Sequence, residues 1–136
     1  MKVVLDPGAF MPEYAHALDA GADLRSPIAT VVPANSSQVI DTGVHVEIPD
    51  GYAGFIKSKS GLNVRHGITS EGVIDAGYTG SIRVKLYNHC PKPLIVFKGD
   101  KISQLVILPV YHAEFEQVDS LEETERGNNG FGSTGR

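Results

Sequence analysis

Glycine and proline break this chain at short intervals: 15 glycines and 8 prolines fall among 136 residues, about one in six. Both resist a helix interior, glycine through backbone entropy and proline through its missing N–H. No apolar pattern holds a helical period for three turns, which leaves short strands joined by turns. The chain is predicted to be all-β, and its length suits one hydrophobic core better than two.

Two runs, Val44–Ile48 and Ile82–Leu86, alternate apolar with polar residues. Each is expected to turn one face to the core and the other to solvent or a cleft. Pro49-Asp50-Gly51 has tight-turn chemistry and leads into Tyr52–Ile56, so a hairpin is predicted there. Leu94–Phe97 and Leu105–Leu108 are continuously apolar, a pattern of strands covered on both faces, which in so small a chain points to a subunit interface. Residues Leu62–His66 have room for one short helix after Gly61. From Asp119 the chain turns acidic and then glycine-rich, with Leu121 and Phe131 its only sizeable apolar residues. That is the composition of a mobile arm.

A net charge of −4 opposes direct nucleic-acid binding, which takes a basic face, but leaves room for one small anion met by local cations. Cys90 is the only cysteine, so no intrachain disulfide can form and a reducing compartment is expected. Asp6 and Pro7 interrupt the apolar start before a signal-peptide core accumulates, and no stretch approaches membrane-spanning length. A soluble, cytoplasmic protein without membrane contact is the expectation.

Four segments carry candidate chemistry. Gly130-Phe131-Gly132-Ser133-Thr134-Gly135 imitates a dinucleotide fingerprint, yet it leaves no room for the helix that such a site needs, so a Rossmann fold is set aside. Its ring and hydroxyls, flanked by Arg126 and Arg136, suit closure over something flat and anionic. Around Asp75, in Gly72-Val73-Ile74-Asp75-Ala76-Gly77-Tyr78-Thr79-Gly80, glycines let backbone groups approach a ligand while Asp75 and Tyr78 enter the same pocket; a turn aspartate is the plainer alternative. Ser58-Lys59-Ser60-Gly61 offers a cation, hydroxyls and free amides, or simply a solvated turn. Ala20-Gly21-Ala22-Asp23-Leu24 sets one carboxylate after small residues. The five histidines lack zinc-ligand spacing. Asp23 and Asp75 are oxygen donors of the kind magnesium prefers, although that ion normally arrives with a nucleotide.

Taken in order, five segments resemble the trimeric dUTPases and span nearly the whole chain: Ala20–Leu24, Lys59-Ser60-Gly61-Leu62, Gly72–Asp75 with Tyr78 and Gly80, Gly99–Leu105, and Arg126-Gly127 followed by Gly130–Gly135. The resemblance implies a distorted jelly-roll of the β-clip type, assembled as a homotrimer. It divides the chain into a core at 1–118 and a flexible C-terminal arm at 119–136 that closes over a neighbour's active site. The implied reaction is hydrolysis of dUTP to dUMP and pyrophosphate with Mg2+, which limits uracil in DNA and supplies a thymidylate precursor.

The resemblance also implies roles. Asp75 is the general base for water attacking the α-phosphorus, and Asp23 stands near the metal, acting through water. Tyr78 lies under the deoxyribose, while Gly72 and Val73 offer backbone groups to uracil. Phe131 stacks on the base, and Lys59, Ser60, Gly61, Gln104, Arg126, Gly132, Ser133 and Thr134 surround the phosphates. Lys59 stands where relatives carry arginine, replacing a bidentate fork by a point charge. Thr69 stands where many carry a uracil-contacting asparagine, and Asn129 where glycine is frequent. A dCTP deaminase of the same fold needs a glutamate where this chain has Lys85, which disfavours that activity. A protein-binding role, known among viral members, would add a regulatory partner to catalysis.

Overall fold

Alternation decides most of the strand placement. In a computed structural model that describes residues 1–130, the chain forms β1 (Val3–Leu5), β2 (Gly21–Arg25), β3 (Thr30–Val32), β4 (Ser36–Asp41), β5 (Val44–Val46) and β6 (Tyr52–Lys57). It continues with α1 (Ser60–His66), β7 (Ile68–Thr69), β8 (Glu71–Ile74), β9 (Arg83–Asn88), β10 (Leu94–Val96) and β11 (Lys101–Pro109). The all-β class is as expected, with α1 the only helix among the described residues. Along β9, exposed and buried positions alternate strictly: Val84, Leu86 and Asn88 point inward. Ile82 just ahead of the strand continues the same face.

The strands form four antiparallel sheets. The largest has the order β2-β11-β6-β8, beside β4-β9-β7 and the pairs β1-β5 and β10-β3. Between them lies one core that includes Leu24, Ile40, Ile56, Ile82, Leu86 and Leu105, each at most 2% exposed. Burying each such side chain contributes about 1.5–3 kcal/mol relative to exposure. Gly54 lets two layers meet: a Cβ there would stand 2.9 Å from both Ile48 Cδ1 and Leu105 Cδ1.

One expectation needs correction. The turn at Pro49–Tyr52 forms, with Gly51 at φ 82° and the Tyr52 N–H donating to the Pro49 carbonyl at 3.2 Å, but no hairpin follows. Strand β5 pairs with β1, and β6 is taken on one edge by β11 and on the other by β8. The three-residue β5 offers β6 a shorter ladder than β11 does, so the turn redirects the chain between sheets. Within one chain the 94–97 run has one face covered. Val96 is buried, whereas Ile95 and Phe97 are 59% and 63% exposed and Val31, opposite Ile95, is exposed as well. Short antiparallel pairs such as β10-β3 need only one covered face.

Buried Asn88 is satisfied by backbone groups from three segments. Asn88 shares its amide N–H groups among the carbonyls of Val32, Pro33 and Lys92 at 2.9–3.1 Å and accepts from the Cys90 N–H at 2.9 Å. It therefore closes the turn into β10. No helix among the described residues is long and apolar enough to cross a membrane. After Pro109, residues through Gly130 contain neither helix nor strand.

Candidate active site

Strand β8 lies at the edge of its sheet, with β6 on one side only, so the other edge keeps backbone donors and acceptors open. Where β8 ends, the chain turns: the Tyr78 N–H donates to the Asp75 carbonyl at 3.2 Å, and Gly77 takes φ 85°. Val73, Ile74, Asp75, Tyr78, Ser81 and Arg83 then line a cleft of about 410 Å3. The Tyr78 ring lies across Gly80, at which any Cβ would collide with the phenol. Its hydroxyl donates to the Ser81 carbonyl at 3.0 Å.

A second cluster gathers around Asp23, whose side chain is 2% exposed on β2. Lys59, the residue before α1, pairs with Oδ1, and Lys101 Nζ lies 2.6 Å from Oδ2. Burial by itself would raise the Asp23 pKa, but bonding to Lys101 and Lys59 outweighs it and holds the carboxyl below its ordinary range. Gln104 stands directly opposite Asp23 and donates through Nε2 to the Ser58 carbonyl at 2.9 Å. A side chain at Gly21 would meet Gln104 Oε1 at 2.5 Å, so glycine there clears the space that Gln104 occupies. Three serines pin the 57–59 segment. Ser103 Oγ donates to the Lys57 carbonyl and lies 2.8 Å from Ser70 Oγ, and the Ser70 N–H donates to Ser58 Oγ at 2.9 Å. Ser60 and Gly61 are exposed in the first turn of α1.

The two clusters occupy opposite corners of the large sheet. One cross-strand row runs Asp23, Gln104, Lys57, Glu71, and Asp75 lies four residues beyond Glu71. Three strand spacings and four residues of rise put Asp23 and Asp75 on the order of 19 Å apart. Within one chain, then, Asp75, Val73 and Tyr78 come together, as do Asp23, Lys59 and Gln104, but the two groups stand apart.

Other predicted residues sit elsewhere. Thr69 Oγ1 lies 3.0 Å from His89 Nε2, outside the Asp75 cleft. Gly72 packs beside Ile56. Arg126 donates to the Asn129 carbonyl at 3.0 Å in a local turn. Phe131, Gly132, Ser133 and Thr134 lie outside the described residues. Lys101, Arg83 and Ser81 were given no role from the sequence. Arg83 had a signal, being on the outward face of an alternating run, and Lys101 lay within the Gly99–Leu105 segment, but its pairing with Asp23 depends on a strand distant in sequence.

No group of three or more His, Cys, Asp or Glu side chains among the described residues could hold a metal. With both oxygens of Asp23 already engaged by ammonium groups, a resident ion does not fit there. A magnesium carried in on substrate phosphates needs no such cage.

Comparison with known proteins covers nearly the whole chain. A family model described as dUTPase matches residues 8–135. The deoxyuridine 5′-triphosphate nucleotidohydrolase of Thermobifida fusca is 47% identical over 96% of this chain and 75% of its own, and that of Tropheryma whipplei 47% identical over 98% and 94%. Among solved structures, the Staphylococcus bacteriophage 80alpha dUTPase with dUpNHpp superposes with a TM-score of 0.92 at 33% identity, covering 99% of this chain and 98% of that one. A phage phi11 dUTPase mutant, described for its coordination of a structural Mg(II) ion, gives 0.82 at 31% identity, over 90% and 98%. With the motifs in order, the same all-β fold and a match that runs nearly end to end, the chain belongs to the dUTPase family.

Proposed function

We infer that this chain hydrolyses dUTP to dUMP and pyrophosphate, thereby limiting uracil in DNA. The observation that carries the reading is the dUTPase match across residues 8–135 in a chain whose Asp75 and Tyr78 share one cleft. Asp75 takes a proton from a water as that water's oxygen bonds to the α-phosphorus. The bond from that phosphorus to the bridging oxygen breaks, and the pair of electrons leaves on pyrophosphate. A positioned base of this kind typically contributes on the order of 10²–10⁴ in rate. Tyr78 forms the floor under the deoxyribose, and the open edge of β8 at Gly72 and Val73 supplies backbone groups to uracil. Mismatched buried polar groups then reject cytosine by roughly 10⁴–10⁵.

Lys59, Ser60, Gly61 and Gln104 receive the triphosphate, with Arg126, Gly132, Ser133 and Thr134 from the arm. Phe131 stacks on the base, a contact of about 1–3 kcal/mol. Thr69 is assigned by resemblance alone. Magnesium bound with the phosphates would supply charge neutralisation, and Asp23, buried and lysine-paired, would act on it through water. A homotrimer, with a core at 1–118 and an arm at 119–136, accounts for the two half-sites. It brings the Asp75 corner of one copy to the Asp23 corner of the next, and the exposed Val31, Ile95 and Phe97 are candidates for burial on assembly.

Pyrophosphate release from dUTP, dCTP, dTTP and UTP, with magnesium and then with the metal chelated, tests the reading. Turnover of dUTP alone, lost on chelation, is expected. No turnover of any of the four would overturn it.

A further inference from the structure

One wall of the Asp75 cleft is tied together by a carboxylate that the proposed chemistry leaves unused. Asp41, the last residue of β4, gathers three donors. The Ser81 hydroxyl and the Gly43 N–H, the latter at 3.1 Å, bond to Oδ1, and Arg83 Nε lies 3.4 Å from Oδ2. Asp41 and Arg83 are also cross-strand partners. Ser81 is therefore held by its side chain while its carbonyl receives the Tyr78 hydroxyl at 3.0 Å. The Tyr78 residue is 45% exposed, so packing alone does not fix the ring, and the hydroxyl bond supplies its second point of attachment. Ser81, Arg83, Tyr78 and Asp75 line the same cleft.

We propose that Asp41 is a positioning residue for sugar discrimination, acting through Ser81 to set the angle of the Tyr78 ring. The inference rests on the reading above, in which that ring lies beneath the deoxyribose. A ring held at its hydroxyl end presents a rigid floor that a 2′-hydroxyl strikes. A ring released at that end swings outward and admits ribose. Asp41 touches no reacting atom, so its loss acts on the choice between dUTP and UTP and on KM, and leaves kcat for dUTP nearly intact. Its ion pair with Arg83 also keeps that cation against the cleft wall.

The test is kcat and KM for dUTP and UTP in the full-length wild type, Asp41→Ala, Ser81→Ala, the double variant and Tyr78→Phe, with thermal unfolding of each. The ratio of kcat/KM for dUTP to that for UTP is expected to fall about five- to tenfold in each single variant, the scale of one lost hydrogen bond. The double variant is expected to lose no more than the larger single effect, because both remove one linked contact. Tyr78→Phe, which keeps the ring and deletes only its hydroxyl, is expected to reproduce the loss without disturbing Asp41. A ratio unchanged in Asp41→Ala and Ser81→Ala, with or without a lower melting temperature, would overturn the proposal. Tyr78→Ala separates the two levels. If it alone abolishes the preference, the floor reading stands and the Asp41 inference fails; a wild type that turns over neither nucleotide sinks both.

Discussion

At the scale of single residues, two aspartates of similar sequence context have opposite surroundings. Asp75 is exposed at a strand end and lines an open cleft. Asp23 is sealed under a strand row and held by two ammonium groups, where its first effect is on structure. Asp75→Asn is expected to lower kcat about 10²–10⁴-fold while retaining dUpNHpp binding, measured by calorimetry; parallel loss of binding would give Asp75 a structural role. Asp23→Asn is expected to cost about 1–3 kcal/mol in denaturant unfolding, less than a fully buried pair because both lysines are partly exposed and can reach water. The sign of its pH effect follows from the lowered folded-state pKa. Its stabilisation is present above the ordinary aspartate range, about pH 4, and disappears as pH falls through the folded value. The gap between wild type and Asp23→Asn should therefore close in acid.

At the scale of elements, the loop from Asp75 to Ser81 connects β8 to β9 and is held from the side by a neighbouring strand. His45 of β5 donates through Nδ1 to the Thr79 carbonyl at 2.8 Å, and its Nε2 lies 3.3 Å from Asp6 Oδ1. The Thr79 contact first, and Asp6 second, raise the His45 pKa above its ordinary value. A raised pKa means that this stabilisation is complete below about pH 6.5, the unfolded value, and is lost as pH rises through the folded one. The melting-temperature difference between wild type and His45→Gln should be larger in acid than in alkali, shrinking as pH rises past the raised folded value; a difference independent of pH would mean that the imidazole's charge plays no part. The hairpin expected at Pro49–Gly51 belongs to this scale too. Its turn was legible because turn chemistry is local, and its strand pairing was not, because β11, some fifty residues away, competes for β6.

At the scale of the molecule, the half-sites at Asp75 and at Lys59 and Gln104 face apart, so activity is expected to depend on more than one copy. Mixing Asp75→Asn with Gln104→Ala, each nearly inactive, then unfolding and refolding them together, should restore about a quarter of wild-type turnover, since in random trimers that fraction of sites draws an intact half from each of two adjacent chains. No recovery, with mixed oligomers verified by mass, would mean that each chain completes its own site.

The sequence by itself determined the class of fold, since frequent glycine and proline with period-two alternation leave little besides short strands, and it determined the family, since five ordered motifs survive any folding detail. Within the site, Asp75 and Tyr78 were legible for the same reason: they lie three residues apart in one glycine-bracketed turn. Only the tertiary structure decided that Asp23 is a buried, lysine-paired carboxylate, that β8 is an open edge, and that Asp41 reaches Tyr78 through Ser81. These contacts join residues 36 to 81 positions apart, whose strands must be brought into register. That register is set by burial of the shared core, and periodicity within a single strand carries no information about its partner.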